Sequence, residues 1–179
     1  MSDVTFVQMP FAAVERPSLG PGLFTTSLKA AHIGVETINA NITFAEMIGL
    51  PAYYLVGEAA PHLLIGDWLF AESTFGESAR RLPRLPMGDG PFYVDGQVLD
   101  AALAAGGHAN VAALMAHLRQ LACEFIDELA VEVVARQPRV VACTSMFDQH
   151  VASVALLKRV KALDPGVLTV IGGANCAGA

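Results

Sequence analysis

The apolar positions of this chain fall into short runs that alternate between strand-like and helix-like spacing. Val4-Thr5-Phe6-Val7-Gln8-Met9 reads as a first strand, and Pro10 ends it. A loop rich in Pro and Gly follows, from Phe11 to Gly22. Leu23 to Ile33 has the spacing of a helix, with Gly34 placed to close it in the left-handed region. Val35 to Ala40 reads as a second strand. A strand, a helix and a strand this close together imply parallel pairing through a crossover.

Thr43-Phe44-Ala45-Glu46 matches a capping box and predicts a helix running towards Val56, kinked or divided at Pro51. Residues 57–107 alternate Gly, Pro and aromatic positions. Leu82-Pro83-Arg84-Leu85-Pro86 cannot be regular helix. An insertion of short helices and loops over residues 44–107 is the reading. Asn110 then caps a long helix whose apolar face is Leu114, Leu118, Leu121, Phe125 and Leu129, and Pro138 marks its exit. Arg139 to Thr144 is a third strand, and its continuous apolar run predicts cover on both faces. Asp148 to Leu163 is a helix with Asp148 as its N-cap. Asp164-Pro165-Gly166 turns the chain into a fourth strand, Val167 to Ile171. The expected fold is an α/β, doubly wound, Rossmann-like parallel sheet, with residues 1–179 forming one domain.

Composition adds one question. The chain is 54% hydrophobic before its 16 glycines are counted, and only 16% charged, against about 25% in ordinary domains. Ala-rich helices explain part of the excess. The remainder predicts apolar surface at the fourth-strand edge and above the loops that follow the strands. The pattern also stops after its fourth strand, which suggests a fragment of a larger sheet.

Charge narrows the function classes. The net charge is −6, and the only basic cluster is Arg80, Arg81 and Arg84, so nucleic acid is not an expected partner. No run approaches the roughly 18 apolar residues of a membrane span. The N-terminus has no basic region before an apolar one, so a cytoplasmic location is expected and a membrane is not. The 3 cysteines, Cys123, Cys143 and Cys176, suit reduced thiols. No CxxC or HxxxH pair suggests a metal site, and no CxxxCxxC triplet is available for an iron–sulfur cluster.

Doubly wound sheets bind ligands beyond the carboxyl ends of their strands, so the loops at residues 10–22, 144–150 and 172–176 should meet there. The first is neither GxGxxG nor a Walker sequence, and is either a connection or a binding loop. In the second, Thr144 and Ser145 offer hydroxyls at the sheet edge. In the third, Gly172-Gly173 would let backbone approach a ligand, or simply form a turn, and Asn175 could bind amides. No Ser-His-Asp arrangement or carboxylate pair stands out. Asp67 and Glu72 flank Trp68 without a motif.

Three stretches resemble the N-terminal region of cobalamin-dependent radical S-adenosylmethionine enzymes that mature ribosomally made peptides by C-methylation. They are Val7–Ala12 with Arg16–Gly20, then Gly66–Phe70 with Phe75-Gly76, and Val151–Ser153 through Ile171–Cys176. The resemblance implies a cobalamin-binding-type domain holding the methyl-carrier cobalamin. Pro10, Phe11, Ser18, Leu19 and Gly20 would lie under the corrin. Thr144, Ser145, Met146 and Phe147 would meet ring and tail, and Gly172, Gly173, Ala174 and Asn175 the nucleotide loop. Asp148-x-His150 resembles the start of the DxHxxG sequence that places a histidine under cobalt. Ser153 stands where that motif has Gly, however, and the element follows the third strand rather than the first. Histidine ligation is therefore not expected. The radical domain, with its S-adenosylmethionine, iron–sulfur cluster and precursor peptide, would belong to a downstream region absent here, so the chain alone is not expected to be catalytic. The alternatives are a cofactor-free interaction module, able to self-associate through apolar surface, and a small α/β enzyme with a site in residues 57–107.

Overall fold

The computed structural model describes residues 2–59, 63–76, 79 and 96–176. Its four strands are β1 (Val4–Val7), β2 (Val35–Ile38), β3 (Val140–Thr144) and β4 (Leu168–Gly172). They pair in parallel in the order β2-β1-β3-β4. The order reverses between β1 and β3, which sets the switch point beyond Val7 and Thr144. The fold is the Rossmann-like α/β sheet that the sequence predicts.

The helices are α1 (Leu19–Ala30), α2 (Ala40–Ile48), α3 (Leu50–Gly57), α4 (Ile65–Phe75), α5 (Gly96–Gly106), α6 (Val111–Ala135) and α7 (His150–Leu163). Helix α1 starts a turn before the sequence reading. Pro21 sits in its first turn, where a missing N–H is tolerated. Its exit is left-handed at His32, not at Gly34. Helix α2 likewise begins before Thr43, so Thr43 and Glu46 form no box at its start. Gly49, with φ +81°, divides it from α3, and Pro51 occupies the first turn of α3. Asn110 caps α6 as predicted, its Oδ1 accepting from Ala113 N at 3.0 Å. The Arg80/Arg81/Arg84 cluster and the Pro-rich segment at 82–86 lie outside the described residues.

A hydrophobic layer of α4, α6 and α7 covers one face of the sheet, where Val7, Val141 and Cys143 are buried. Its centre is aromatic. Phe44 stands 4.8 Å from Phe125 and 5.3 Å from Phe70, centroid to centroid. Burying each such ring contributes about 1.5–3 kcal/mol. Among the described residues the other face carries only α1, which has no buried residue. Phe6 stacks on Phe24 there, at 6.2 Å. Beyond α1 no other described element covers that face. Leu168 is 64% exposed and Val170 50%. β3 is therefore buried in alternation rather than on both faces as its continuous apolar run implied. Exposed apolar side chains gather at β4 and at the loops, as expected, but Leu50, Leu64, Phe75 and Val131 are exposed elsewhere too. No single described helix is long and apolar enough to cross a membrane.

Candidate functional site at the carboxyl ends of the strands

The chain after β1 is tied down from several sides. Met9 N donates to Thr144 Oγ1 at 3.0 Å, and Gln149 Nε2 donates to Met9 O at 3.0 Å. These two bonds join the loop after β1 to the loop after β3. Pro10 is buried beside them. The Phe11 ring turns inward, 5.0 Å from Tyr53 and 5.8 Å from Phe44, so it anchors the loop on the aromatic core. Tyr53 adds a hydrogen bond from its hydroxyl to Ala12 O at 2.7 Å. Gly66 makes room for this anchor, since a Cβ there would meet Phe11 Cδ2 at 2.7 Å and Asp148 Cβ at 2.5 Å.

The loops after β3 and β4 are also joined. Ser145 is buried; its N–H donates to Gly172 O at 2.7 Å, and its carbonyl accepts from Asn175 N at 3.2 Å. Asn175 Nδ2 donates to Phe147 O at 2.8 Å. Gly173 has φ +137°, and a Cβ there would lie 2.3 Å from Ser145 O, so its glycine serves packing between the two loops. Gly172 is different: nothing stands within 4 Å of the position its Cβ would take. Met146 and Phe147 are exposed on this rim, Phe147 at 69% and with φ +46°. Ala174 lies in the short 3-10 turn Ala174–Cys176 and is exposed.

Of the candidate residues, Pro10, Phe11, Thr144, Ser145, Met146, Phe147, Gly172, Gly173, Ala174 and Asn175 gather around the ends of β1, β3 and β4. Ser18, Leu19 and Gly20 stand apart, at the start of α1. Ser18 Oγ accepts from Gln8 Nε2 at 2.7 Å and faces a cavity on the β2 side.

Two carboxylates lie behind the β3 loop. Asp148 accepts from the Gly66 and Asp67 N–H groups at the start of α4, and Asp67 Oδ1 accepts from Val151 N at 2.9 Å at the start of α7. Asp148 therefore caps α4 rather than its own helix, which takes its cap from Asp67. Asp148 Oδ1 is buried without a partner among the described residues. Burial, reinforced by the nearby Asp67 charge, pushes the Asp148 carboxyl up to about 6. Burial raises Asp67 as well. His150 Nδ1 contacts Ser145 Oγ at 2.8 Å, which fixes its ring. Buried Ser145 is a structural partner in that pair. Glu72 pairs with Arg119 at 3.3 Å, and the Arg119 guanidinium lies 4.4 Å from the Trp68 ring centroid. No group of three metal-binding side chains gathers among the described residues.

No protein-family model matches the chain, and no match is found among curated proteins or solved structures. The residues themselves are the sole support for any family reading.

Sequence reasoning missed Gln8, Tyr53 and Gln149, which hold the loops, and the reciprocal capping by Asp67 and Asp148. No local pattern announces any of these, because each partner is distant in the chain.

Proposed function

We propose that the chain is the cobalamin-binding domain of a peptide-maturing radical S-adenosylmethionine C-methyltransferase. The observation that carries this reading is the junction of three loops at the carboxyl ends of β1, β3 and β4. It presents exposed Met146 and Phe147 beside the unobstructed backbone of Gly172. A flat macrocycle with amide arms suits such a rim: apolar side chains for the ring, and backbone and Asn175 polar groups for the arms. The open sheet face along Ala142 and Val170 would receive the nucleotide tail. The loop after β1 contains no histidine, so the lower face of cobalt would have no imidazole from it.

Cobalamin, when bound, would supply a methyl group carried between S-adenosylmethionine and the substrate carbon. This chain's residues would position the corrin and shield one face from water. Radical chemistry and the precursor peptide belong to a separate domain. Gel filtration after mixing with hydroxocobalamin tests the reading. Co-elution of corrin absorbance with protein at tens of micromolar is expected, and elution of free corrin alone counts against it.

The open apolar strip at Leu168 and Val170 supports the second reading, a cofactor-free interaction module. Sedimentation separates the two. Self-association without corrin binding favours the module, and a monomer that takes up corrin favours the first reading.

A further inference from the structure

A cavity of about 560 Å³ opens between the β1–α1 loop, the end of β2 and the start of α1. It is separate from the rim formed by the β3 and β4 loops. Its lining mixes uncharged polar side chains, among them Gln8, Ser18, Thr25, Thr37 and Asn41, with apolar ones such as Val14 and Ile42. Asn41 is 2% exposed. Its Nδ2 donates to Ala13 O at 3.2 Å, while its Oδ1 has no partner among the described residues. A buried carbonyl oxygen without a donor is costly, and a ligand hydroxyl or N–H would relieve it.

The first turn of α1 borders the same cavity. Ser18 makes no capping hydrogen bond to it, because its hydroxyl is held by Gln8, and no acidic residue lies in that turn. The turn reads Leu19-Gly20-Pro21-Gly22, and neither Gly20 nor Gly22 has any atom within 4 Å of where a Cβ would stand. Pro21 has no N–H and Gly22 N donates to Ser18 O, so Leu19 and Gly20 carry the N–H groups that this positive end of a twelve-residue helix offers to an anion. Arg16 stands on the wall. Glu15 stands there too, with its carboxylate held by the Tyr54 hydroxyl. Thr25 and Thr37 hydroxyls, 3.4 Å apart, add a donor–acceptor pair deeper along the helix.

We infer that this cavity binds a phosphorylated pentose, with phosphate on the α1 N-terminus and Arg16, and a sugar hydroxyl donating to Asn41 Oδ1. The inference goes beyond the cobalamin reading and stands or falls separately from it.

The test is titration of the full chain, followed by amide chemical shifts, with ribose 5-phosphate, AMP, ribose and inorganic phosphate. Ribose 5-phosphate should saturate with a Kd of about 0.1–1 mM and shift Gly20, Gly22 and Asn41. Ribose and inorganic phosphate should each bind at least about tenfold more weakly, since each lacks half of the contacts. AMP binding as tightly as ribose 5-phosphate identifies a nucleotide as the source of the pentose phosphate; much weaker AMP binding identifies a free sugar phosphate. Gly20→Asp places a carboxylate where the phosphate would sit, and should weaken ribose 5-phosphate about tenfold or more without lowering the melting temperature. Arg16→Gln should weaken it about fivefold. No saturation by 10 mM ribose 5-phosphate, or unchanged affinity in both variants, overturns the inference.

Discussion

Asp67 and Asp148 each hold the other's helix. Asp67 satisfies N–H groups at the start of α7, and Asp148 does so at the start of α4. Burial raises both carboxyls, and the nearby Asp67 charge raises Asp148 further. For Asp148 the folded value, about 6, lies above its ordinary 3.8. The folded state therefore binds this proton more tightly than the unfolded state. The stabilisation is present at low pH and is lost as pH rises from about 4 to about 6. Asp148→Asn removes that dependence. Relative to the parent chain, its stability should improve by about 1–2 kcal/mol between pH 4.5 and pH 7.5, allowing for solvent screening. Urea unfolding at the two pH values measures this, and a difference that does not change with pH contradicts it. At this scale the sequence points to Asp148 as the cap of its own helix, whereas it caps α4. That choice depends on Gly66, whose missing Cβ lets α4 approach.

At the scale of elements, strong periodicity and punctuation were reliable guides. Asn110, the apolar face of α6 and Pro138 placed the long helix within a residue or two. Asn110→Ala should cost about 1 kcal/mol, measured as a shift in the urea midpoint. An unchanged midpoint would mean the cap bond to Ala113 adds nothing. The starts of α1 and α2 were read late, because Pro21 and Asn41 look like loop residues until the tertiary contacts of Gln8 are known. The two faces of the sheet were also misjudged. A continuous apolar run in β3 suggested cover on both sides, yet α1 reaches β2 and leaves β4 bare. Leu156 and Leu168 give the contrast directly. Leu156→Ala, in the packed layer, should cost about 2–5 kcal/mol, and Leu168→Ala, on the open face, less than about 0.5 kcal/mol. Equal losses in chemical unfolding would show that the open face is covered in solution.

At the scale of the molecule, the described residues form a four-stranded sheet with a thick helical layer on one face and an almost bare second face. Its apolar excess is thereby divided between a large aromatic core and surface that is exposed in the isolated chain. The parallel sheet and the meeting of the loops after β1, β3 and β4 follow from the strand–helix alternation seen in the sequence. The separate position of Ser18–Gly20 does not, because it depends on where α1 starts. The proposal of a corrin site rests on the rim formed by Met146, Phe147 and Gly172. The most direct test is a spectrophotometric titration of hydroxocobalamin with the chain and with Phe147→Asp. A saturable shift in corrin absorbance, at least about tenfold weaker in the variant, is the predicted result. A spectrum unchanged at tens of micromolar protein, or equal affinity in the variant, would contradict the proposal.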